Sequence, residues 1–203
     1  MKILFLTNNP ITRRLSDWLE QEACEQNVTY EGKISNVILD REAPDLVISY
    51  NYRHFIPKDV VAVLGGRAIN LHISLLPWNK GADPNVWSFL EDTPKGVTIH
   101  LIDEGIDTGN ILLQKELFFN EGEETLMSTY NILHKEIQDL FMKNWEQLKR
   151  FEIAPKISQL DGSRHMIKDF AMVKGLLGKE GWDITINELK RRYREIQKQR
   201  WVT

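Results

Sequence analysis

The sequence predicts an α/β protein with a mostly parallel central sheet flanked by helices, and three observations carry that prediction. Ile3 to Leu6 and Leu46 to Ser49 are continuous apolar runs, the pattern of strands covered on both faces. Helical spacing alternates with these runs, so the chain reads strand, helix, strand, helix, strand up to His72, an order that right-handed crossovers turn into a parallel sheet. With 203 residues, 42% hydrophobic and 27% charged, one core with a modest appendage is expected, and two full-sized domains would be cramped.

Each element has its own signal. Asn8-Asn9-Pro10 ends the first strand, and Ile11, Leu15, Trp18, Leu19 and Ala23 recur at helical spacing after it. Val28 to Gly32 is a weak second strand and Asn36 to Glu42 a short helix. Pro44-Asp45 introduces the strand at Leu46; Pro57 opens a helix that Gly65-Gly66 ends; Ala68 to His72 is the next strand. Asp83 to Leu90 is a helix with Pro84 in its first turn, where the missing amide costs nothing. Val97 to Ile102 and Ile111 to Phe118 are strands on either side of a loop at Asp107. The longest helix is expected from about 124 to 150, its stripe from Leu126 to Leu148 facing the core.

Residues 1–151 therefore read as the main domain and 152–203 as a mostly helical C-terminal appendage. That appendage ends in a basic helix in which six Lys and Arg between 189 and 200 face Glu195 alone. Such a helix reads first as a solvated face, with Leu189, Tyr193 and Ile196 turned inward. Anchoring of a diphosphate and pairing with a second subunit are the alternatives, so a homodimer stays open. The net charge of −3 argues against a nucleic-acid partner. No run approaches the roughly 18 apolar residues that would span a bilayer, and the N-terminal run is too short for a signal peptide. No membrane partner and a cytoplasmic location are the expectations. Cys24 is a lone cysteine, expected half-buried on the first helix, so an internal disulfide is excluded and a Cys-rich zinc site is not expected.

The chemistry concentrates between Ala68 and Gln114. Asn70-Leu-His72 lies at the carboxyl end of a strand, where open parallel sheets place their sites, and residues two apart on a strand point to one side. A Pro77…Gly81 loop follows, then Asp107-Thr-Gly109. An amide, an imidazole and a carboxylate together suit acyl transfer to an amine. The amide donates to an oxyanion, the imidazole with its reference pKa of about 6.5 handles the amine's proton, and the carboxylate orients the ring. Taken singly, Asn70 and His72 read more readily as a strand-end amide and a core-edge histidine; their joint occurrence with Pro77, Gly81, Gly96, Asp107 and Gly109 reverses that reading. His100 reads as structural or pocket-lining, and His54, His134 and His165 as surface residues.

Across residues 1–120, most tightly over 68–114, the chain resembles the formyltransferases that use 10-formyltetrahydrofolate, the glycinamide-ribonucleotide transformylase superfamily. The resemblance implies a Rossmann-like formyltransferase fold and makes Asn70, His72 and Asp107 the catalytic set, with no metal required. It implies 10-formyltetrahydrofolate as cosubstrate, its pterin in an apolar slot formed by Leu101, Ile102, Asp103 and Ile106 with walls from Tyr52, Phe55 and Ile56. Thr7-Asn8-Asn9-Pro10 lacks the glycines that hold a phosphate in the purine-pathway enzyme, and Pro10 removes an amide donor. The tail is too short for the barrel domain of methionyl-tRNA formyltransferase. Leu76-Pro77-Trp78-Asn79-Lys80-Gly81 is similar to the loop of enzymes that formylate nucleotide-linked amino sugars for surface glycans such as lipopolysaccharide. It places Trp78, Asn79, Lys80 and Gly81 beside the acceptor, with Lys80 able to meet a phosphate or simply to be solvated. A glycinamide-ribonucleotide-type transferase, a formyltetrahydrofolate hydrolase and a non-catalytic folate- or nucleotide-binding protein are the alternatives.

Overall fold

The computed structural model describes residues 1–23 and 26–200; Cys24 falls outside them. Eight strands occur among the described residues: β1 (Lys2–Leu6), β2 (Gln26–Tyr30), β3 (Leu46–Tyr50), β4 (Ala68–His72), β5 (Lys80–Gly81), β6 (Lys95–Leu101), β7 (Ile111–Leu117) and β8 (Arg164–His165). The helices are α1 (Arg13–Trp18), α2 (Asn36–Glu42), α3 (Lys58–Leu64), α4 (Pro84–Leu90), α5 (Leu126–Lys143), α6 (Trp145–Lys149), α7 (Ile167–Val173) and α8 (Ile186–Arg200).

The main sheet has the order β2-β1-β3-β4-β6-β7. Pairings from β2 to β4 are parallel, and β6 and β7 run antiparallel to what precedes them. The reversal at β7 follows from chain length, because the loop between β6 and β7 is too short for a crossover. The sheet is mostly parallel, as the sequence predicts, and helices cover both faces. Alternation along β1 divides the core: Ile3 and Phe5 face Leu15, Ile137, Phe141 and Trp145, whereas Leu4 and Leu6 face Leu39, Val60 and Leu64.

Three boundaries differ from the sequence expectation. The second strand spans Gln26–Tyr30 because its register with β1 runs from Lys2 opposite Gln26 to Leu6 opposite Tyr30. The first helix is composite: a 3₁₀ turn at Pro10–Thr12, then α1, then a π-helical turn at Leu19–Ala23. The expected long helix is broken at Asn144 (φ −108, ψ 14). Its side chain donates to the Leu140 carbonyl at 2.8 Å, taking the acceptor that the helix ladder would use.

The tail shares a core with the body. Val173, Leu176, Ile184, Ile186 and Leu189 pack with Val86, Trp87, Phe89 and Leu90 of α4. On α8, Leu189 is fully buried, while Ile196 is 37% exposed. Three of its basic groups are paired: Lys190 with Asp92 and Glu121, Arg191 with Glu188 and Glu195, Arg192 with Glu180 and Glu188. Among the described residues no helix is long and apolar enough to cross a membrane.

His134, expected on the surface, is instead buried in α5, where its ring meets the Tyr50 hydroxyl. Gln138 donates to that hydroxyl from one turn further on. Burial pushes the His134 pKa down to about 3 from 6.5. Between those values the unfolded ring takes a proton that the folded ring refuses, so stability is lost as pH falls through that window. Each unit is worth about 1.4 kcal/mol, so unfolding at pH 4.5 should require about 2–3 kcal/mol less than at pH 7.5. Urea titration at the two pH values checks this. His134→Gln should flatten the dependence, and an equal pH loss in that variant would place its origin elsewhere.

Candidate active site

The site forms on one face of the sheet, where β4 and β6 pair. Their antiparallel register sets Asn70 opposite His100 and His72 opposite Thr98, and directly opposite residues share a face of the sheet. Asp107 arrives from the β6–β7 loop with φ 53, a left-handed conformation that Asp tolerates better than most residues. Gly109 lets that loop close, because a Cβ there would lie 1.7 Å from the Leu101 carbonyl oxygen. Gly109→Ala is therefore expected to cost about 3 kcal/mol or more, by displacing the Asp107 loop or straining β6. An unchanged denaturation midpoint would show that the loop has room.

The two N–H bonds of Asn70 are both engaged. Nδ2 donates to Asp107 Oδ1 at 3.0 Å and lies 3.2 Å from His100 Nε2. His100 Nδ1 is 2.7 Å from the Leu101 carbonyl, which can only accept, so a neutral His100 carries its proton there and presents Nε2 as an acceptor to Asn70. His72 Nε2 faces the Asn79 carbonyl at 3.1 Å, and the same reasoning puts its proton on Nε2. The bare Nδ1 of His72 then faces Asp107 Oδ2 at 3.6 Å. Asp107 also accepts from the Gly81 backbone N–H at 2.8 Å.

Burial holds the His72 pKa below its ordinary value, opposed by the Asp107 charge. Burial alone would raise Asp107, but His72, His100 and the Gly81 amide together hold it well below the usual carboxylate range. At neutral pH the arrangement is a carboxylate, a neutral imidazole and an amide. Protonation of His72 at Nδ1 would create an ion pair with Asp107, so the site is built to accept one proton.

A cavity of about 650 Å³ opens over this set and is lined by Asn70, His72, His100 and Asp107. Tyr52, Phe55, Ile56, Ile102, Asp103 and Ile106, all expected against the pterin, line it too. Phe55 is 58% exposed, placing it at the rim. The Asp103 carboxylate is engaged locally, accepting from the Gly105 N–H and the Thr108 hydroxyl. Leu101 is not in the lining: its side chain packs against the main core, and its carbonyl holds His100.

The acceptor loop divides. Gly81 lines the cavity, but Trp78, Asn79 and Lys80 do not. Asn79 is fully buried; its amide donates to the Thr93 hydroxyl at 2.7 Å and accepts from Ser163. Lys80 Nζ donates to the Asp161 carbonyl. Both residues fasten the tail, whose β8 pairs with β5, and Gly81 is needed there because a Cβ would meet the His165 carbonyl oxygen at 2.2 Å.

That pairing brings His165, Met166 and Ile167 to the cavity wall, a contribution the sequence reading missed. His165 is buried rather than exposed, stacked on Trp87 at 4.0 Å with Nε2 3.1 Å from Glu91. Asn8, Asn9, Asn51, Asp83 and Tyr130 were missed as well. Tyr130 counted as core stripe, and it took the fold to turn its hydroxyl toward Asn9.

Comparison with known proteins bears on the whole chain. The formyl transferase family model matches residues 12–144. The formyltransferase PseJ from Anoxybacillus kamchatkensis, crystallised with UDP-4,6-dideoxy-4-formamido-L-AltNAc and tetrahydrofolate, is 44% identical with a TM-score of 0.85. The match covers 93% of this chain and 97% of that one. The dTDP-4-amino-4,6-dideoxyglucose formyltransferase of Mycobacterium bovis is 27% identical over 188 residues, 87% of this chain and 79% of that protein. Methionyl-tRNA formyltransferase of Thermodesulfovibrio yellowstonii is 36% identical over 116 residues, 56% of this chain. The chain spans little more than a third of that relative's length, 37%.

Proposed function

Because the chain belongs to the formyl transferase family, we propose that it transfers the formyl group of 10-formyltetrahydrofolate to the amine of a nucleotide-linked amino sugar. The observation that carries this reading is the convergence of Asn70, His72 and Asp107 in one cavity, linked by contacts of 3.0 and 3.6 Å. The likeness to the PseJ complex along nearly the whole of both chains supports the acceptor class.

The roles follow from the hydrogen bonding. Asn70 shifts one N–H to the formyl oxygen as the amine nitrogen bonds to the formyl carbon. The bond to His100 is the one to yield, since it is the longer of the two and the other runs to the charged Asp107 carboxylate. His72 takes the amine's proton at Nδ1, where the Asp107 charge stabilises the imidazolium. That proton then passes to the folate nitrogen as its bond to the formyl carbon breaks, giving tetrahydrofolate and the formamido sugar. Donor binding falls to the end of the cavity with Tyr52, Phe55, Ile56 and the Ile102–Ile106 loop. The acceptor occupies the end with Asn9, Tyr130 and the 165–167 segment. Under this reading the enzyme works in the cytoplasm, residues 1–151 carry the catalytic set, and 152–203 complete the acceptor side.

The test is an acceptor panel with 10-formyltetrahydrofolate, following tetrahydrofolate release and product mass. It includes UDP-, dTDP- and GDP-linked amino sugars, glycinamide ribonucleotide, and water alone. A gain of one formyl group on a nucleotide sugar is expected. Formylation of glycinamide ribonucleotide only, or release of formate with no acceptor, would sink the assignment.

A further inference from the structure

One carboxylate in the cavity has no partner. Asp103 and Asp107 are both held by donors. Asp83, between β5 and α4, lines the same cavity; its carbonyl caps α4 by accepting from Val86 and Trp87, but its carboxylate has no hydrogen bond or ion pair among the described residues. It is partly buried, and burial alone raises its pKa, with no donor opposing the shift. A half-buried carboxylate that faces a cavity keeps part of its solvent, and a donor on a bound ligand can replace it.

Its position says which ligand meets it. Gly81, two residues earlier, donates its N–H to Asp107, and two residues reach at most about 7 Å, so Asp83 lies close to the reacting centre. The same cavity is lined by Tyr130 of α5, whose hydroxyl receives Asn9 Nδ2 at 3.2 Å and keeps its own proton to donate. Burial first, and the Asp83 charge among the further causes, hold that hydroxyl neutral. Asp83 therefore stands within electrostatic reach of Tyr130 as well as near the reacting centre. A phosphate would be repelled there, whereas a neutral donor group would be bound.

We propose that Asp83 determines acceptor specificity by accepting a hydrogen bond from an O–H or acylamino N–H on the sugar ring that carries the reacting amine. The inference rests on the reading of the acceptor as a nucleotide-linked amino sugar, and it assigns the ring substituent that this chain selects.

The experiment measures both Michaelis constants for wild type, Asp83→Asn and Asp83→Ala. The acceptors are the amino sugar the wild type formylates, its analogue lacking the neighbouring ring hydroxyl, and its analogue lacking the acylamino group. Hydrogen bonds to charged groups imply that Asp83→Ala raises the acceptor KM about tenfold or more, with the folate KM unchanged. The analogue without the recognised donor should be equally poor for wild type and variant, and the one that behaves so identifies the group. Asp83→Asn, whose side chain tolerates φ 51, guards against misfolding and should give a smaller rise. An acceptor KM unchanged in both variants, or a folate KM rising in parallel, overturns the inference while the function stands. No product from the wild type on any amino sugar overturns the function, and this inference falls with it.

Discussion

Asp107→Asn is expected to give a folded protein whose formyl transfer is slower by about 10³-fold or more. The substitution keeps the shape and can still accept from the Gly81 N–H, so the melting temperature should move little. What disappears is the charge facing His72 Nδ1 at 3.6 Å. An imidazolium formed there would then stand buried and unpaired, and burial already disfavours it. In the flipped orientation, which gives up the Gly81 bond, the amide would turn an N–H toward His72 and block the nitrogen that takes the proton. Tetrahydrofolate release and thermal melting, measured on one preparation, check the prediction. Loss of turnover accompanied by unfolding would assign Asp107 a structural role. The pH profile adds a sign. Burial lowers the His72 pKa and Asp107 raises it, so the acid limb of kcat/KM should lie below pH 6.5 in the wild type and shift lower still in any residual activity of the variant.

Asn70→Ala is expected to slow turnover by about 10²–10³-fold, the typical effect of removing one oxyanion donor. The folate KM should change little, because the side chain's bonds run to Asp107 and His100. The loss should fall on kcat. A rise in KM with kcat intact would mean that Asn70 binds a ground state instead. His100→Ala separates the two parts of the arrangement: it removes the resting partner of the Asn70 amide while leaving the bond to Asp107.

Much of the site could be read in the sequence because it is written in local pattern. Asn70 and His72 were placed by strand parity and by the rule that open sheets carry chemistry at the carboxyl ends of their strands. Asp107 and Gly109 were marked by a loop bounded by two apolar runs. The pterin-side residues were implied by the family resemblance, and all except Leu101 line the cavity. Leu101 differs by one position in β6, where a single step turns a side chain into the core.

The acceptor side was poorly legible for a definite reason. Trp78, Asn79 and Lys80 were expected beside the acceptor because their loop resembles that of enzymes that formylate nucleotide-linked amino sugars. Asn79 and Lys80 engage Thr93, Ser163 and Asp161, and two of those three lie more than 80 residues away in sequence. The division at residue 152 rested on a change in composition. In the folded chain, β8 crosses to β5 and carries His165 to Ile167 onto the cavity wall. His134 looked exposed because a histidine in a helix usually is, and only the approach of Tyr50 from β3 shows that it is buried.

The sequence by itself determined the α/β class, the crossover order, the strand ends that carry Asn70 and His72, and the family those residues indicate. These depend on periodicity, turn chemistry and short motifs, which act over a few residues. Tertiary structure alone decided that Asn70 meets His100, that Asp83 lines the cavity, and that the tail reaches the cavity wall. Those facts depend on antiparallel register and on packing between distant segments, for which a local pattern carries no signal.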